Sequence, residues 1–161
     1  MVAFHADVKI DASPEEVWQV LLDGAGYPTW DSGVARVEGT IAAGERITVY
    51  SEVRPDRGFP VGVRIIEPAR KMRWIGGLPM GLFSGVRTFT LLPTDDGGTF
   101  FDLREEYDGV LLFLMRLTLP DLQPSFDKFV LGLKRRVERG PAPSEETAPA
   151  DGDASSTASA E

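Results

Sequence analysis

The sequence contains no cysteine and only one histidine, His5. Without cysteine the chain has no disulfides, no thiol nucleophile and no thiolate metal ligand. One histidine argues against a histidine metal site or a Ser-His-Asp triad. No nucleotide-binding glycine loop, G-x-S-x-G elbow or EF-hand loop is present either. We therefore expect no metal and no cofactor, and any catalysis is expected to be acid–base chemistry on a bound organic ligand.

Long apolar runs are also missing. No stretch approaches the roughly 20 apolar residues that a membrane-spanning helix requires. The N-terminus lacks the basic start and apolar run of a signal peptide. These absences predict a cytoplasmic protein with no stable membrane insertion.

Negative charge is in excess and is concentrated at the C-terminus. The net charge is −8, and residues 140–161 carry five acids with no Lys or Arg. An acidic chain without a basic stripe argues against nucleic-acid binding. One small basic cluster falls in the last turns of a predicted helix, where positive charge complements the helix dipole: Lys134, Arg135, Arg136 and Arg139. Because 140–161 also lacks large apolar residues, it is predicted to be a disordered tail after one domain, 1–139.

The first thirty residues contain three recognisable elements. Apolar residues recur at every second position over 2–10, which predicts a half-buried strand. Ser13 then has the position of a helix N-cap, with Pro14 at the first helical position and Glu16 completing a capping box. The helix is short, and an aromatic turn, Tyr-Pro-Thr-Trp, follows at 27–30.

The middle of the chain is predicted to be an antiparallel sheet, because strand-like segments follow one another without helical periods. Their ranges are 34–41, 45–54, 59–68, 71–76, 83–93 and 99–109. The segment 55–58 is interpreted as a turn, and the Asp-Asp-Gly-Gly loop at 95–98 is the clearest hairpin signal. A last helix over 121–138, capped by Asp121, has one continuous apolar stripe and must bury it against the sheet. The fold class is therefore α+β.

The last hairpin is predicted to place two charges on its inner face. Pairing about the 95–98 loop sets Arg87 opposite Glu105, in phase with apolar cross-strand pairs, and Tyr107 lies two residues further along the same face. Burial of both charges requires that they pair. The sequence leaves three roles open for this group: a structural ion pair, orientation of a ligand, or catalysis in which the arginine stabilises an enolate and a carboxylate or phenol moves protons.

The order of these motifs resembles a known superfamily. The opening "IDASPEEVW", the turn "YPTW", the stretch "RWIGGLPMGLFSGVRTFTLLP" with "GGTFFDLREEYDGVL", and the close "LKRRVE" are similar to the START/Bet v1-like (SRPBCC) superfamily, nearest to its polyketide cyclase/dehydrase-like branch of small bacterial proteins. The resemblance covers about residues 2–139. It implies a helix-grip fold, in which a curved antiparallel sheet of six to seven strands wraps a long C-terminal helix, with two short helices after strand one. It also implies a deep pocket between sheet and helix, in a superfamily of lipid and sterol carriers, hormone receptors, aromatases and cyclases.

Twelve residues are the candidates for lining that pocket, by their inward phase or their aromatic character. They are Trp30, Trp74, Phe83, Arg87, Phe89, Glu105, Tyr107, Phe113, Leu122, Phe126, Phe129 and Leu133. The alternative is that the aromatic members simply fill the core. Arg87, Glu105 and Tyr107 are also the catalytic candidates, whereas Asp31 and Asp102 have no evident partner in the sequence.

Two further segments have open interpretations. The strongly apolar segment 109–119 is interpreted as a flap over the pocket, as a surface for a protein partner, or as a helical extension packed on the sheet. The glycine-rich loop 76–83 is a second candidate gate. Three functions follow: binding of a small hydrophobic molecule such as a lipid, polyketide or aromatic metabolite; a polyketide aromatase or cyclase using the same cavity; and a protein-interaction module working through 109–119.

Overall fold

A computed structural model describes residues 1–115 and 121–140, and in it one antiparallel sheet curves around the last helix. Its seven strands have the spatial order β1-β7-β6-β5-β4-β3-β2. The strands are β1 (Val2–Ile10), β2 (Val34–Glu38), β3 (Arg46–Ser51), β4 (Arg54–Glu67), β5 (Lys71–Leu78), β6 (Phe83–Pro93) and β7 (Thr99–Asp108). The helices are α1 (Pro14–Leu22), α2 (Leu112–Met115) and α3 (Gln123–Glu138), with 3₁₀ turns at Gly24–Thr29 and Pro79–Gly81. The predicted helix-grip fold is confirmed.

Helix α1 begins where the sequence predicts. The Ser13 hydroxyl accepts a hydrogen bond from the backbone N–H of Glu16, and the Glu16 carboxylate accepts one from the backbone N–H of Ser13 at 2.8 Å. This reciprocal capping box satisfies N–H groups that have no partner inside a helix. The 3₁₀ turn that follows carries Tyr27 into the core, where its hydroxyl donates to the Leu21 carbonyl at 2.8 Å. The aromatic turn thereby packs against the helix that precedes it.

The capping box makes the stability of the protein depend on pH. Hydrogen bonds from Ser13 lower the pKa of Glu16, so the stabilisation by this carboxylate is present above its unfolded pKa and lost as the pH falls through its folded pKa. We expect Ser13→Ala to cost about 1 kcal/mol at pH 7. Urea unfolding from pH 7 to pH 3 should show the penalty of Glu16→Gln shrinking with acidification. A penalty that stays constant over this range contradicts the role of the ionised carboxylate, and Glu15→Gln is the control for charge in the same helical turn.

Strand β4 differs from its prediction, because the expected turn at 55–58 is part of the strand. The reversal between β3 and β4 falls at residues 52–53, since Ser51 pairs with Arg54. Arg54 and residues 58–60 pair with β3, whereas residues 55–57 have no partner there because the register shifts between Tyr50 and Ser51. None of these residues pairs with β5, whose pairing begins at Val61. One edge of this part of β4 is therefore free of ladder bonds, and that is where a sheet tolerates proline. The hairpin at 95–98 is confirmed, with the Thr94 N–H donating to the Gly98 carbonyl at 2.9 Å.

Helix α3 lies against the inner face of the sheet and closes the core. Its apolar stripe buries Phe126, Phe129, Val130 and Leu133. The helix begins at Gln123, and Asp121 accepts a hydrogen bond from the Gln123 N–H at 3.0 Å. Gly132 permits the close approach to the 3₁₀ turn, because a β-carbon there would lie 2.4 Å from the Trp30 carbonyl oxygen.

No helix in the part of the chain that the structure describes has the length and hydropathy of a membrane span. The predicted tail, apart from Gly140, lies outside the described residues.

Candidate functional site

The inner face of the sheet carries one transverse row with two charges in it. The strand registers pair Trp74 with Arg87, Arg87 with Glu105, and Glu105 with Phe4. In antiparallel sheets, directly opposed residues share a face, so these side chains all point toward α3. The predicted pairing of Arg87 with Glu105 is confirmed.

Arg87 and Glu105 form an ion pair with two hydrogen bonds to one oxygen. Arg87 Nε and Nη2 donate to Glu105 Oε2 at 2.9 and 2.7 Å. The two side chains are only 22% and 13% exposed. Burial acts to lower the pKa of Arg87, but the electrostatic effects of Glu105 and of the neighbouring tyrosines, with the hydrogen bonds to Glu105, together outweigh burial and raise the pKa. The guanidinium therefore remains charged, and it also lies 5.2 Å from the ring centre of Phe126 on α3.

Tyr107 occupies the next row, beside the ion pair. It is paired with Gly85, where a β-carbon would lie 3.2 Å from the tyrosine ring. The ring stacks on Phe83 at 5.8 Å and meets Phe4 edge-on at 6.2 Å. Burial raises the pKa of Tyr107 and the charge of Glu105 raises it further, against an opposing effect of Arg87. The hydroxyl is therefore protonated at neutral pH and is a hydrogen-bond donor.

Other predicted site residues lie deeper, in a continuous aromatic cluster. The Phe129 ring lies 5.1 Å from Trp30 and 6.2 Å from Phe89, and Phe89 lies 4.9 Å from Trp74. Leu133 is fully buried in the same core. Sequence analysis missed two members of this interior. Tyr27 joins Trp30 to Trp74, with ring centres at 5.1 and 5.8 Å.

The second missed residue is Phe4, which stacks on Phe126 at 5.8 Å. The period-two pattern of strand β1 already assigns Phe4 to the inner face. The pattern does not predict which strand pairs with β1. The pairing of Phe4 with Glu105 places the phenylalanine ring next to the ion pair.

Both interior indoles have an unpartnered donor. Within the described residues, Trp30 Nε1 and Trp74 Nε1 are inaccessible to solvent and have no hydrogen-bond acceptor. A buried donor left without a partner costs about 1–3 kcal/mol. Such groups are uncommon in native proteins and call for a specific explanation.

The segment after β7 joins the site only in part. Leu112 is buried, whereas Phe113 is 77% exposed. Leu122 is partly buried and packs against the core. The Leu111 N–H donates to the Leu82 carbonyl at 2.9 Å, so the two predicted gates, 76–83 and 109–119, touch one another. Half of the predicted loop 76–83 is strand, because β5 and β6 pair as far as Leu78 and Phe83, and a 3₁₀ turn at Pro79–Gly81 lies between them. Residues 116–119 lie outside the described part of the chain.

Two carboxylates that the sequence left without partners do have them. Asp31 contacts Lys128 at 3.2 Å and Arg135 at 3.1 Å, which joins the 3₁₀ turn to α3. Asp102 contacts the ring of His5 on the outer face, because β1 pairs with β7. The partners of Asp31 and Asp102 are all distant in sequence. The expectation that these carboxylates have no partner was wrong because the sequence alone does not show such tertiary contacts. Over residues 1–115 and 121–140, no cluster of His, Asp and Glu side chains has the arrangement of a metal site.

The arrangement offers mainly hydrogen-bond donors in an apolar setting. Arg87 and Tyr107 provide polar donors beside a wall of aromatic rings, and Glu105 balances the arginine charge. Such a site can orient the polar end of an otherwise apolar molecule.

Comparison with known proteins agrees with this architecture. The profile of the family described as "Polyketide cyclase / dehydrase and lipid transport" matches residues 1–138. No curated protein matches the sequence.

Similar solved structures include protein MLL2253 from Mesorhizobium loti, with a TM-score of 0.68 at 18% identity, covering 88% of this chain and 100% of that one. A START superfamily protein from Mycobacterium smegmatis has a TM-score of 0.62 at 15% identity, covering 85% and 97%. The di-domain ARO/CYC BexL from the BE-7585A biosynthetic pathway has a TM-score of 0.64 at 17% identity, covering 86% of this chain and 47% of BexL. At these identities the similarity shows a shared fold.

Proposed function

Because the chain belongs to the polyketide cyclase/dehydrase and lipid transport family, we propose that it binds a small hydrophobic molecule between the inner face of the sheet and α3. The ligand is a lipid, a polyketide or an aromatic metabolite. Its polar end lies at Arg87, Glu105 and Tyr107, and its apolar body lies along the aromatic side chains of the sheet and α3.

The observation that supports this proposal is the inward ion pair. An arginine and a glutamate taken out of water contribute little net stability, and apolar side chains of similar size often do better. This pair instead sits beside Phe126 and Tyr107, at the border between the aromatic interior and the end of the sheet where β7 finishes. A polar group held at this position suits recognition of a ligand more than it suits packing.

A ligand titration tests the proposal. We expect amide ¹H–¹⁵N spectra recorded with fatty acids, sterols, flavonoids and aromatic polyketides to show shifts for at least one chemotype, concentrated at Trp74, Arg87, Tyr107 and Phe126. Thr88 and Arg104 on the outer face are the internal control and should not move. Well-dispersed spectra that respond to no ligand in this panel contradict the proposal.

A second candidate function is a polyketide aromatase or cyclase. It is favoured by the adjacency of a charged guanidinium, a carboxylate and a protonated phenol, which are groups that stabilise an enolate and move protons. The variant Tyr107→Phe separates the two functions, since it keeps the ring that packs on Phe83. A carrier keeps its affinity within about 10-fold, the scale of one hydrogen bond. A cyclase loses turnover by about 100-fold or more, the scale of general acid–base catalysis, while still binding.

A further inference from the structure

A cleft on the surface lies between the 3₁₀ turn at Gly24–Thr29 and the last turns of α3. Its volume is about 770 Å³, and small residues, Ala25 and Gly26 on the turn and Gly140 on the helix, leave this space open. The charged side chains of its helical wall are Arg135, Arg136 and Arg139. We call this feature the arginine cleft. None of the polar residues of the proposed ligand site lines it.

The arginine cleft has one more positive charge than negative charges. Its three arginines face two aspartates, Asp23 and Asp31. Asp31 contacts Arg135 at 3.1 Å and also Lys128 at 3.2 Å, so its charge already has two partners. The Asp23 carboxylate accepts a hydrogen bond from the Gly26 N–H at 3.1 Å, which caps the 3₁₀ turn. Within the described chain, neither aspartate forms an ion pair with the other two arginines.

Those two arginines are Arg136 and Arg139. The Arg136 guanidinium donates to the Gly140 carbonyl through Nη1 at 2.7 Å. Over residues 1–115 and 121–140, no carboxylate lies within ion-pair distance of either guanidinium. A guanidinium presents five N–H donors in a planar fork that matches the geometry of a carboxylate. The cleft is therefore suited to bind further carboxylates.

The chain continues from the rim of this cleft into an acidic segment. Gly140, the last residue that the structure describes, lines the cleft and has a left-handed conformation with a φ of 72°, which ends α3. Residues 141–161 contain five acids and no Lys or Arg, and the first acids are Glu145 and Glu146. Because a chain extends by at most about 3.3–3.6 Å per residue, Glu145 has a reach of up to about 18 Å from Gly140. That reach covers the cleft.

We propose that the acidic segment 141–161 docks on the arginine cleft of its own chain, where the carboxylates of Glu145 and Glu146 accept hydrogen bonds from Arg136 and Arg139. Charge complementarity and the exit of the chain at the cleft both support this occupant. The segment has no large apolar residue, so charge and not apolar burial holds it. The short tether gives the carboxylates an effective concentration in the millimolar range. The docked segment joins the end of α3 to the 3₁₀ turn, and this contact does not depend on the proposed function.

A nitroxide label on the segment tests the docking. The chain has no cysteine, so Ala148→Cys carries the label at a single position. In the labelled full chain at low salt, we expect the amide signals of Gly26, Thr29 and Gly132, which line the cleft, to broaden. At about 1 M NaCl, where the Debye length is only about 3 Å, the broadening should fall by about 2-fold or more.

Charge variants identify the residues that dock. Glu145→Gln combined with Glu146→Gln should reduce the broadening at low salt as far as high salt does. Asp151→Asn combined with Asp153→Asn is the matched control, because it removes the same number of charges from the same segment. The control should retain the broadening of the unsubstituted segment.

The cleft side and the intramolecular character have their own tests. Arg139→Gln should reduce the broadening, whereas Arg57→Gln on β4, which does not line the cleft, should not. A mixture of nitroxide-labelled protein with unlabelled ¹⁵N-enriched protein should show no broadening. Broadening that is unchanged by the Glu145 and Glu146 substitutions or by Arg139→Gln overturns the inference. Broadening in the mixture shows that the segment docks on a second copy and overturns the intramolecular assignment.

Discussion

Replacing Phe129 with alanine is expected to destabilise the protein by about 3–5 kcal/mol, the usual cost of removing a buried phenylalanine. The ring is 2% exposed, and the rings of Tyr27, Trp30, Phe89 and Phe101 all lie with centres within 6.4 Å of it. These neighbours come from the 3₁₀ turn and from strands β6 and β7, so the loss affects the contact between helix and sheet that defines the fold.

Urea unfolding followed by tryptophan fluorescence and by circular dichroism measures this loss. A loss of this size is a large part of the 5–15 kcal/mol that stabilises a typical domain. Leu131→Ala is the matched control, because Leu131 lies on the same helix and is 47% exposed; its cost should stay below about 1 kcal/mol. A Phe129→Ala cost as small as that of Leu131→Ala would show that the helix and the sheet are not packed through this ring.

The second large effect is expected from breaking the ion pair on one side. Arg87→Met leaves Glu105 without a charge partner, and Glu105→Leu does the same to Arg87. Each change is expected to cost about 2–4 kcal/mol, somewhat below the value for a fully buried pair because Arg87 keeps some solvent exposure. The double variant, with both charges removed, should regain most of this loss, because no unpaired charge remains.

A double-mutant cycle by urea unfolding isolates this interaction. The neighbouring pair of Arg104 with Glu106, at 3.0 Å on the outer face, is the control and should couple by no more than about 1 kcal/mol because both side chains are well exposed. Additive effects of Arg87→Met and Glu105→Leu would mean that solvent screens the inner pair as it screens the outer one.

The same double variant separates structure from function. If the ion pair is kept only for stability, Arg87→Met with Glu105→Leu should bind hydrophobic ligands at least as well as the unsubstituted protein. Under the proposed function, the folded double variant loses affinity for ligands with a polar end by about 10- to 100-fold, the value of a hydrogen bond to a charged group. Thermal unfolding with and without ligand measures both quantities on the same samples.

Much of the architecture follows from local pattern. The period-two alternation of β1, the capping box at Ser13 and Glu16, and the hairpin at 95–98 are all governed by interactions within a few residues. The pairing of Arg87 with Glu105 is also determined locally, because a tight hairpin loop sets the register of the two strands that it joins. The turn expected at 55–58 was wrong because the chain reverses at 52–53 and residues 55–57 form an irregularity within β4, without partners in β3. Local sequence marks such an irregularity and a turn with the same proline and glycine.

The sequence by itself determined the order of elements, the α+β class and the inward phase of the charged pair, since these depend on periodicity and short-range geometry. Only the tertiary structure decided which rings lie beside that pair and which lie behind it. Phe4 and Phe126 at the pair, and Tyr27 in the deeper aromatic cluster, come from elements far apart in the chain. The tertiary structure also decided that the indole of Trp74 is buried without an acceptor. Whether a hydrogen bond is satisfied depends on the positions of all neighbouring groups at once, and those positions exist only after sheet and helix have packed.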